Sequence, residues 1–295
     1  MDVFLGYLRL CRPANLPTAA ADILAGMALA GTFDATGIVD SSLTEIGFLV
    51  LASIFLYAGG VVLNDVFDAR LDAVERPERP IPSGLVSKSN AALFGFVMLV
   101  LGVALAFWTS KLCGGIALAL AVSIVLYDAF SKNHAFLGPV NMGLCRALNL
   151  LLGIGFLGNL EQWPYALVPL FFIGAVTLVS RGEVHGNNKK NIILAGLLYA
   201  LVILYVTYVH LQYADGWITA MPFLVVFALM VLIPLGRSFK VNSPTNIKKA
   251  VKAGVLSIII LDAAMATAYT DWYFGVAMLL LLPLSFALAK IFAVT

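Results

Sequence analysis

Charge is scarce in this chain. Only 12% of its 295 residues are Asp, Glu, Lys or Arg, against 61% apolar. A soluble domain carries about twice that share of charge, so a water-surrounded globule is excluded. Cysteine is scarce as well: Cys11, Cys113 and Cys145 are scattered and odd in number. They form no CxxC pair, which argues against a disulfide framework and against structural zinc. The net charge is only +2, and no nucleic-acid partner is expected from it. The N-terminus lacks a basic leader followed by a small-residue cleavage point, so it is expected to remain in the mature chain. No linker or low-complexity segment divides the sequence, so residues 1–295 are expected to form one domain.

What the chain has in abundance is apolar blocks of about 20 residues, the length that crosses a bilayer as helix. They predict an all-α, polytopic bundle. Residues 1–12 resemble a short interfacial segment, with Phe4, Leu5, Tyr7 and Leu8 beside Arg9 and Arg12. Helices are then expected at about 14–32, 45–66, 89–109, 114–131, 137–158, 163–180, 192–212, 217–235, 250–269 and 272–292. Placing the N-terminus in the cytoplasm puts nearly every Lys and Arg of the loops on that side. The opposite loops hold Lys111 with Asp34, Asp40, Glu45, Glu161, Asp215 and Asp271. This is the asymmetry of an inner-membrane protein with both termini inside. It favours ten crossings over nine, because Lys290 then falls inside. A bacterial inner membrane is the expected location.

The most polar stretch, NDVFDARLDAVERPERPIPSG at 64–84, lies between two apolar blocks. Asp65, Asp68 and Asp72 stand at i, i+3 and i+7, on one face of a helix. Three like charges there repel, so something cationic should sit among them. Carboxylates so spaced suit Mg²⁺, which takes one or two of them plus phosphate oxygens. Arg76 and Arg79 follow and could grip phosphate. Pro77, Pro80 and Pro82 then end any helix.

NDxxDxxxD at 64–72, followed by RPxRPIPSG at 76–84, resembles the first motif of the UbiA superfamily of intramembrane prenyltransferases. Arg12-Pro13, the pair Tyr127 and Lys132, and Asn141 with Arg146 are similar to further positions of that family. The likeness runs from about residue 9 to 270, and its wording is most like the EboC-type branch. The resemblance implies about nine helices around a central cavity. It implies Mg²⁺ held by two Asp-rich motifs, an isoprenyl diphosphate donor, and a small acceptor, often aromatic. On this basis Asp65, Asp68, Asp72, Glu183 and Asn187 are the expected metal ligands. Asn64, Arg76, Arg79, Tyr127, Lys132, Lys189 and Lys190 are expected around the diphosphate. Arg12, Asn15, Asp22, Asn141 and Arg146 are expected along the cavity and acceptor. Asp65, Asp68, Asp72, Lys132, Glu183 and His185 form the expected catalytic set.

The second motif departs from the family pattern. Residues 183–187 read EVHGN. Glu183 keeps a carboxylate, while Ser180, His185 and Asn187 stand where acids are common. Elsewhere two readings stay open. Asp128 and Lys132 could pair as i,i+4 neighbours, or Lys132 could serve the diphosphate. Asp22 could orient the acceptor or partner Arg146. An Arg inside a membrane helix costs at least about 2.5 kcal/mol without a partner or water, so Arg146 must meet one. Two rival functions remain: a membrane transporter, and a reduced homologue that binds isoprenoid without turnover.

Overall fold

The computed structural model describes residues 3–33, 43–214 and 216–292. Asp34, Asp40 and Asp215, which entered the charge count, lie outside them. Twelve α-helices follow in order: α1 Val3–Leu10, α2 Leu16–Leu29, α3 Leu43–Glu75, α4 Lys88–Thr109, α5 Lys111–Leu126 and α6 Leu137–Ile154. After them come α7 Leu167–Ser180, α8 Lys189–Tyr213, α9 Trp217–Lys240, α10 Pro244–Thr267, α11 Trp272–Leu279 and α12 Leu281–Phe292. No strand occurs among the described residues. Nine spans among them are long and apolar enough to cross a membrane. Their outer faces expose Leu93, Phe96, Leu197, Leu204 and Ile218, as lipid permits and water would not.

The tenth helix, α2, has only 14 residues and is almost wholly buried. It packs against α3, α6 and α10 and belongs to both large apolar clusters. Close approach is possible because the crossing with α6 is made of glycine. A Cβ on Gly26 would lie 2.5 Å from the Leu150 carbonyl oxygen, and one on Gly153 would lie 2.5 Å from that of Ile23. Small residues at such crossings let membrane helices gain the van der Waals contact that holds them together. The expected start at residue 14 is delayed by a single 3₁₀ turn at Pro13–Asn15.

Several further boundaries differ from the sequence expectation, and three features of the helix ends have a local reason. Helix α3 does not stop at 66; at 33 residues it measures about 50 Å, against a hydrocarbon core of about 30 Å. Its last turns leave the bilayer as a rigid post that carries the whole Asp face, and Pro77 follows the post. Helix α10 begins at Pro244 instead of 250, because the Ser243 hydroxyl accepts from the Asn246 N–H and Pro occupies the first turn. Helix α5 ends in a π-helical turn, Tyr127–Ser131, a local widening that is frequent at functional sites.

Candidate active site

The Asp face of α3 is threaded with cations, as its mutual repulsion requires. Arg79 spans it, with Nη1 3.2 Å from Asp65 Oδ1 and 2.7 Å from Asp72 Oδ2. Arg12 reaches Asp65 from the other side, Nη2 to Oδ1 at 2.5 Å. Lys132 reaches Asp68, Nζ to Oδ1 at 2.5 Å, and its ammonium lies 5.7 Å from the Phe67 ring centroid. Asp65 and Asp72 are buried, while Asp68 and the cations are partly exposed. Arg12 achieves its reach from a left-handed backbone, φ 48° and ψ 64°. A non-glycine residue held there costs roughly 1–3 kcal/mol and marks sites where surrounding contacts dictate the geometry.

Below this face lies a cavity of about 420 Å³. Its wall is mainly apolar, with Leu120, Ile124, Ile173, Val176, Val255 and Ile258 among the lining residues. Polar groups gather at Arg12, Asn15, Asn64, Tyr127, Asp128 and Glu183. The π-turn delivers Tyr127 and Asp128 to this wall. Asp128 is 3% exposed and accepts from Asn64 Nδ2 at 2.7 Å. It does not pair with Lys132, which goes to Asp68 instead. Deeper in, Arg146 and Asn149 reach the wall.

Behind Arg146 sits a buried polar knot. Its Nε lies 2.6 Å from Asp22 Oδ2, a charge contact rather than an aligned hydrogen bond, and its Nη2 donates to the Thr18 carbonyl. Asn149 Nδ2 donates to Asp22 Oδ2 at 2.8 Å and its Oδ1 accepts from Ser53 Oγ at 2.7 Å. Asp22 is thus the partner of Arg146 and does not line the cavity, which corrects its expected place beside the acceptor. Asn141 is corrected as well. With its amide oxygen turned toward them, it accepts from Ser131 Oγ at 3.0 Å and the Tyr127 N–H at 3.1 Å. It braces the π-turn instead of facing the cavity.

The loop after α7 contributes one residue to the cavity wall, Glu183. Burial pushes its carboxyl up from the ordinary value, against the opposing charges of Arg76 and Lys248. His185, Asn187, Lys189 and Lys190 are exposed and outside the lining, so their expected places in the site are not met in this arrangement. Lys189 instead lies 5.6 Å from the Phe239 ring centroid. Asn188 shapes the loop: its Nδ2 donates to the Leu178 and Val179 carbonyls, closing the end of α7.

Comparison with known proteins gives this arrangement its kin. The model of the UbiA prenyltransferase family matches residues 19–253. Digeranylgeranylglyceryl phosphate synthase of Methanoregula boonei is 30% identical over 262 residues, which is 82% of this chain and 89% of the relative. The protein of the same name from Methanosarcina mazei is 33% identical over 187 residues, covering 59% of this chain and 62% of that one. A UbiA homolog from Archaeoglobus fulgidus, solved with GPP and Mg²⁺, superposes with a TM-score of 0.68 at 16% identity, over 92% of this chain and 99% of that one.

The chain belongs to the UbiA prenyltransferase family.

It is accordingly an integral, multi-pass membrane prenyltransferase. These relatives speak to the UbiA family and not to its EboC-type branch. They are archaeal and lend nothing to the expected bacterial membrane. The Archaeoglobus fulgidus homolog was solved with Mg²⁺. Asp65, Asp68, Asp72 and Glu183 offer hard oxygen ligands of the kind that Mg²⁺ selects. Among the described residues no three acidic, His or Cys groups converge into a metal cage. Mg²⁺ is seldom held by all-protein cages; it takes one or two carboxylates and completes its shell with phosphate and water.

Some residues of the site were not singled out from sequence. Tyr57, Thr18 and Ser53 line the cavity with Asn64. Ser53, Tyr57, Gly60 and Asn64 follow one another at helical spacing. The motif face therefore continues down α3 into the membrane, a stripe that periodicity could have exposed.

Proposed function

We propose that this UbiA family member uses Mg²⁺ to transfer an isoprenyl group from an isoprenyl diphosphate to the hydroxyl of a small acceptor. The observation that carries the reading is the set of three cations, Arg12, Arg79 and Lys132, held by the Asp face, with Arg12 also lining an apolar-walled cavity. A diphosphate can compete for those cations, while the isoprenyl tail occupies the cavity.

The chemistry then divides by place. Asp65, Asp68, Asp72 and Glu183 would hold Mg²⁺, which when bound would supply positive charge against the leaving diphosphate. Lys132, Arg79 and Arg12 stabilise the same charge through hydrogen bonds that strengthen as the carbon–oxygen bond lengthens. The apolar wall keeps water from the electron-poor allylic carbon. Arg76, facing Glu183, completes the positive rim. Arg146 and Asn149 offer donors deeper in the cavity. The relatives are named for digeranylgeranylglyceryl phosphate, a glyceryl phosphate bearing two isoprenyl groups, so we take an alcohol as the acceptor in preference to an aromatic ring. The charge pattern supports a cytoplasmic position for the motif end of the bundle and for both termini. Residues 1–295 would act as one catalytic unit.

The test is incubation of purified protein with Mg²⁺ and labelled dimethylallyl, geranyl and geranylgeranyl diphosphates, with geranylgeranylglyceryl phosphate as acceptor. Transfer that stops on EDTA treatment and returns with Mg²⁺ is the expected result. The single carboxylate that the second loop brings to the cavity favours one other reading, a reduced homologue. That protein would bind a diphosphate and release no product.

A further inference from the structure

Every prenyl transfer to an alcohol must dispose of the hydroxyl proton. Two carboxylates line the cavity, Asp128 and Glu183. Glu183 lies near the opposing charges of Arg76 and Lys248, which occupy its carboxylate. Asp128 stands differently. It belongs to the π-turn at the end of α5, and the cavity-lining residues on its own helix are Ile124 and Leu120, one and two turns below. Above it are Lys132 and the Asp68 carboxylate that holds that ammonium. It therefore marks the boundary between the charged head of the site and its apolar body. A diphosphate on Lys132 and Arg79, with its tail in the cavity, must place the allylic carbon at that same boundary.

The carboxylate is also held for use. Asn64 Nδ2 fixes Oδ1 at 2.7 Å, and no hydrogen bond or ion pair engages Oδ2 among the described residues. The i+4 ammonium that would otherwise quench it is taken by Asp68. The charged groups around Asp128 are Arg12, Asp68 and Lys132; Tyr127 and Cys145 are the neutral titratable neighbours. The π-turn that aims it is itself braced, by Asn141 on the Tyr127 N–H and on Ser131.

We propose that Asp128 is the general base that takes the acceptor's hydroxyl proton, an inference that rests on the prenyl-transfer reading above. The bond between the allylic carbon and the diphosphate oxygen breaks, and its electron pair leaves with the diphosphate. The acceptor oxygen forms its new bond to that carbon. The O–H proton passes to Asp128 Oδ2, and the resulting acid returns it to water after product leaves.

Asp128→Asn is the informative variant, because its amide can keep the contact with Asn64. The full-length protein in nanodiscs is given Mg²⁺, geranylgeranyl diphosphate and geranylgeranylglyceryl phosphate. Turnover should fall by at least about 10²-fold, the low end for loss of a general base. Geranylgeranyl diphosphate affinity should stay unchanged. Asp128→Glu should recover part of the rate. Turnover within about 3-fold of the parent, far below a general-base effect, would overturn the proposal. So would a loss of diphosphate binding that accounts for the whole defect. A parent protein that transfers nothing would refute the functional reading itself, and that arm is read first.

Discussion

Removing Asp22 would leave Arg146 charged and unpaired inside the bundle. Breaking a buried ion pair from one side costs about 3–5 kcal/mol, so Asp22→Ala should lower the melting temperature sharply and empty the membrane fraction of folded protein. Asp262, on α10, behaves otherwise. Asp22 Oδ1 and Asp262 Oδ2 are both buried and find no hydrogen-bond partner among the described residues. A buried polar atom left without a partner is costly. Asp262→Asn supplies an N–H donor in its place and should be tolerated, whereas Asp262→Leu should not. Equal thermal stability of the Asn and Leu variants would show that position 262 needs no polar group. At the head of the site, Lys132→Ala removes a cation and frees Asp68. Diphosphate affinity should drop about tenfold, the equivalent of about 1.4 kcal/mol for one charge-assisted bond, as measured by titration of geranyl diphosphate. Unchanged affinity would remove Lys132 from the diphosphate site.

At the scale of elements, the crossing of α2 and α6 is the joint on which the cavity depends. Arg146 and Asn149 lie on α6, and their partners Thr18, Ala19 and Asp22 lie on α2. Gly26→Val would drive a side chain into backbone atoms at 2.5–2.8 Å, and backbone cannot swing aside as a flexible side chain can. A loss of about 1–3 kcal/mol is expected for such overpacking, read as lower thermal stability with weaker diphosphate binding. Gly47 meets nothing within 4 Å, so Gly47→Ala should be silent. The helices themselves were legible from hydropathy because each must satisfy its own backbone in lipid. The Asp face was legible from its 3–4–7 spacing. Their partners were not. Arg12 meets Asp65 across 53 residues and Lys132 meets Asp68 across 64, and no local periodicity encodes such distances. The i,i+4 pairing of Asp128 with Lys132 failed for the same reason, since a distant carboxylate outcompeted the near one. The second loop was aligned by motif spacing, yet its turn at Gly186 and Asn187, both with positive φ, leaves only Glu183 on the cavity wall.

For the whole molecule, the question is which way it sits. The Asp face, the π-turn and the loop after α7 share one end of the bundle, because α3 runs toward that end and Lys132 and Arg12 join it there. The other end carries Lys111 and Glu161, beside the helix ends of α4, α5 and α6. Lys and Arg gather overwhelmingly at the first end, and an excess of that kind supports the proposed cytoplasmic placement of that end. In that orientation a diphosphate supplied from the cytoplasm would reach the cations without its charged head crossing lipid. The consequence is measurable in a variant with Cys11, Cys113 and Cys145 replaced. His185→Cys and Glu161→Cys each place one thiol at an exposed position, at opposite ends. In intact cells a membrane-impermeant maleimide should label Glu161→Cys and spare His185→Cys; in inverted vesicles the pattern should reverse. The opposite result would turn the bundle over and place diphosphate entry on the outer face. Labelling of both in intact cells would contradict a single orientation.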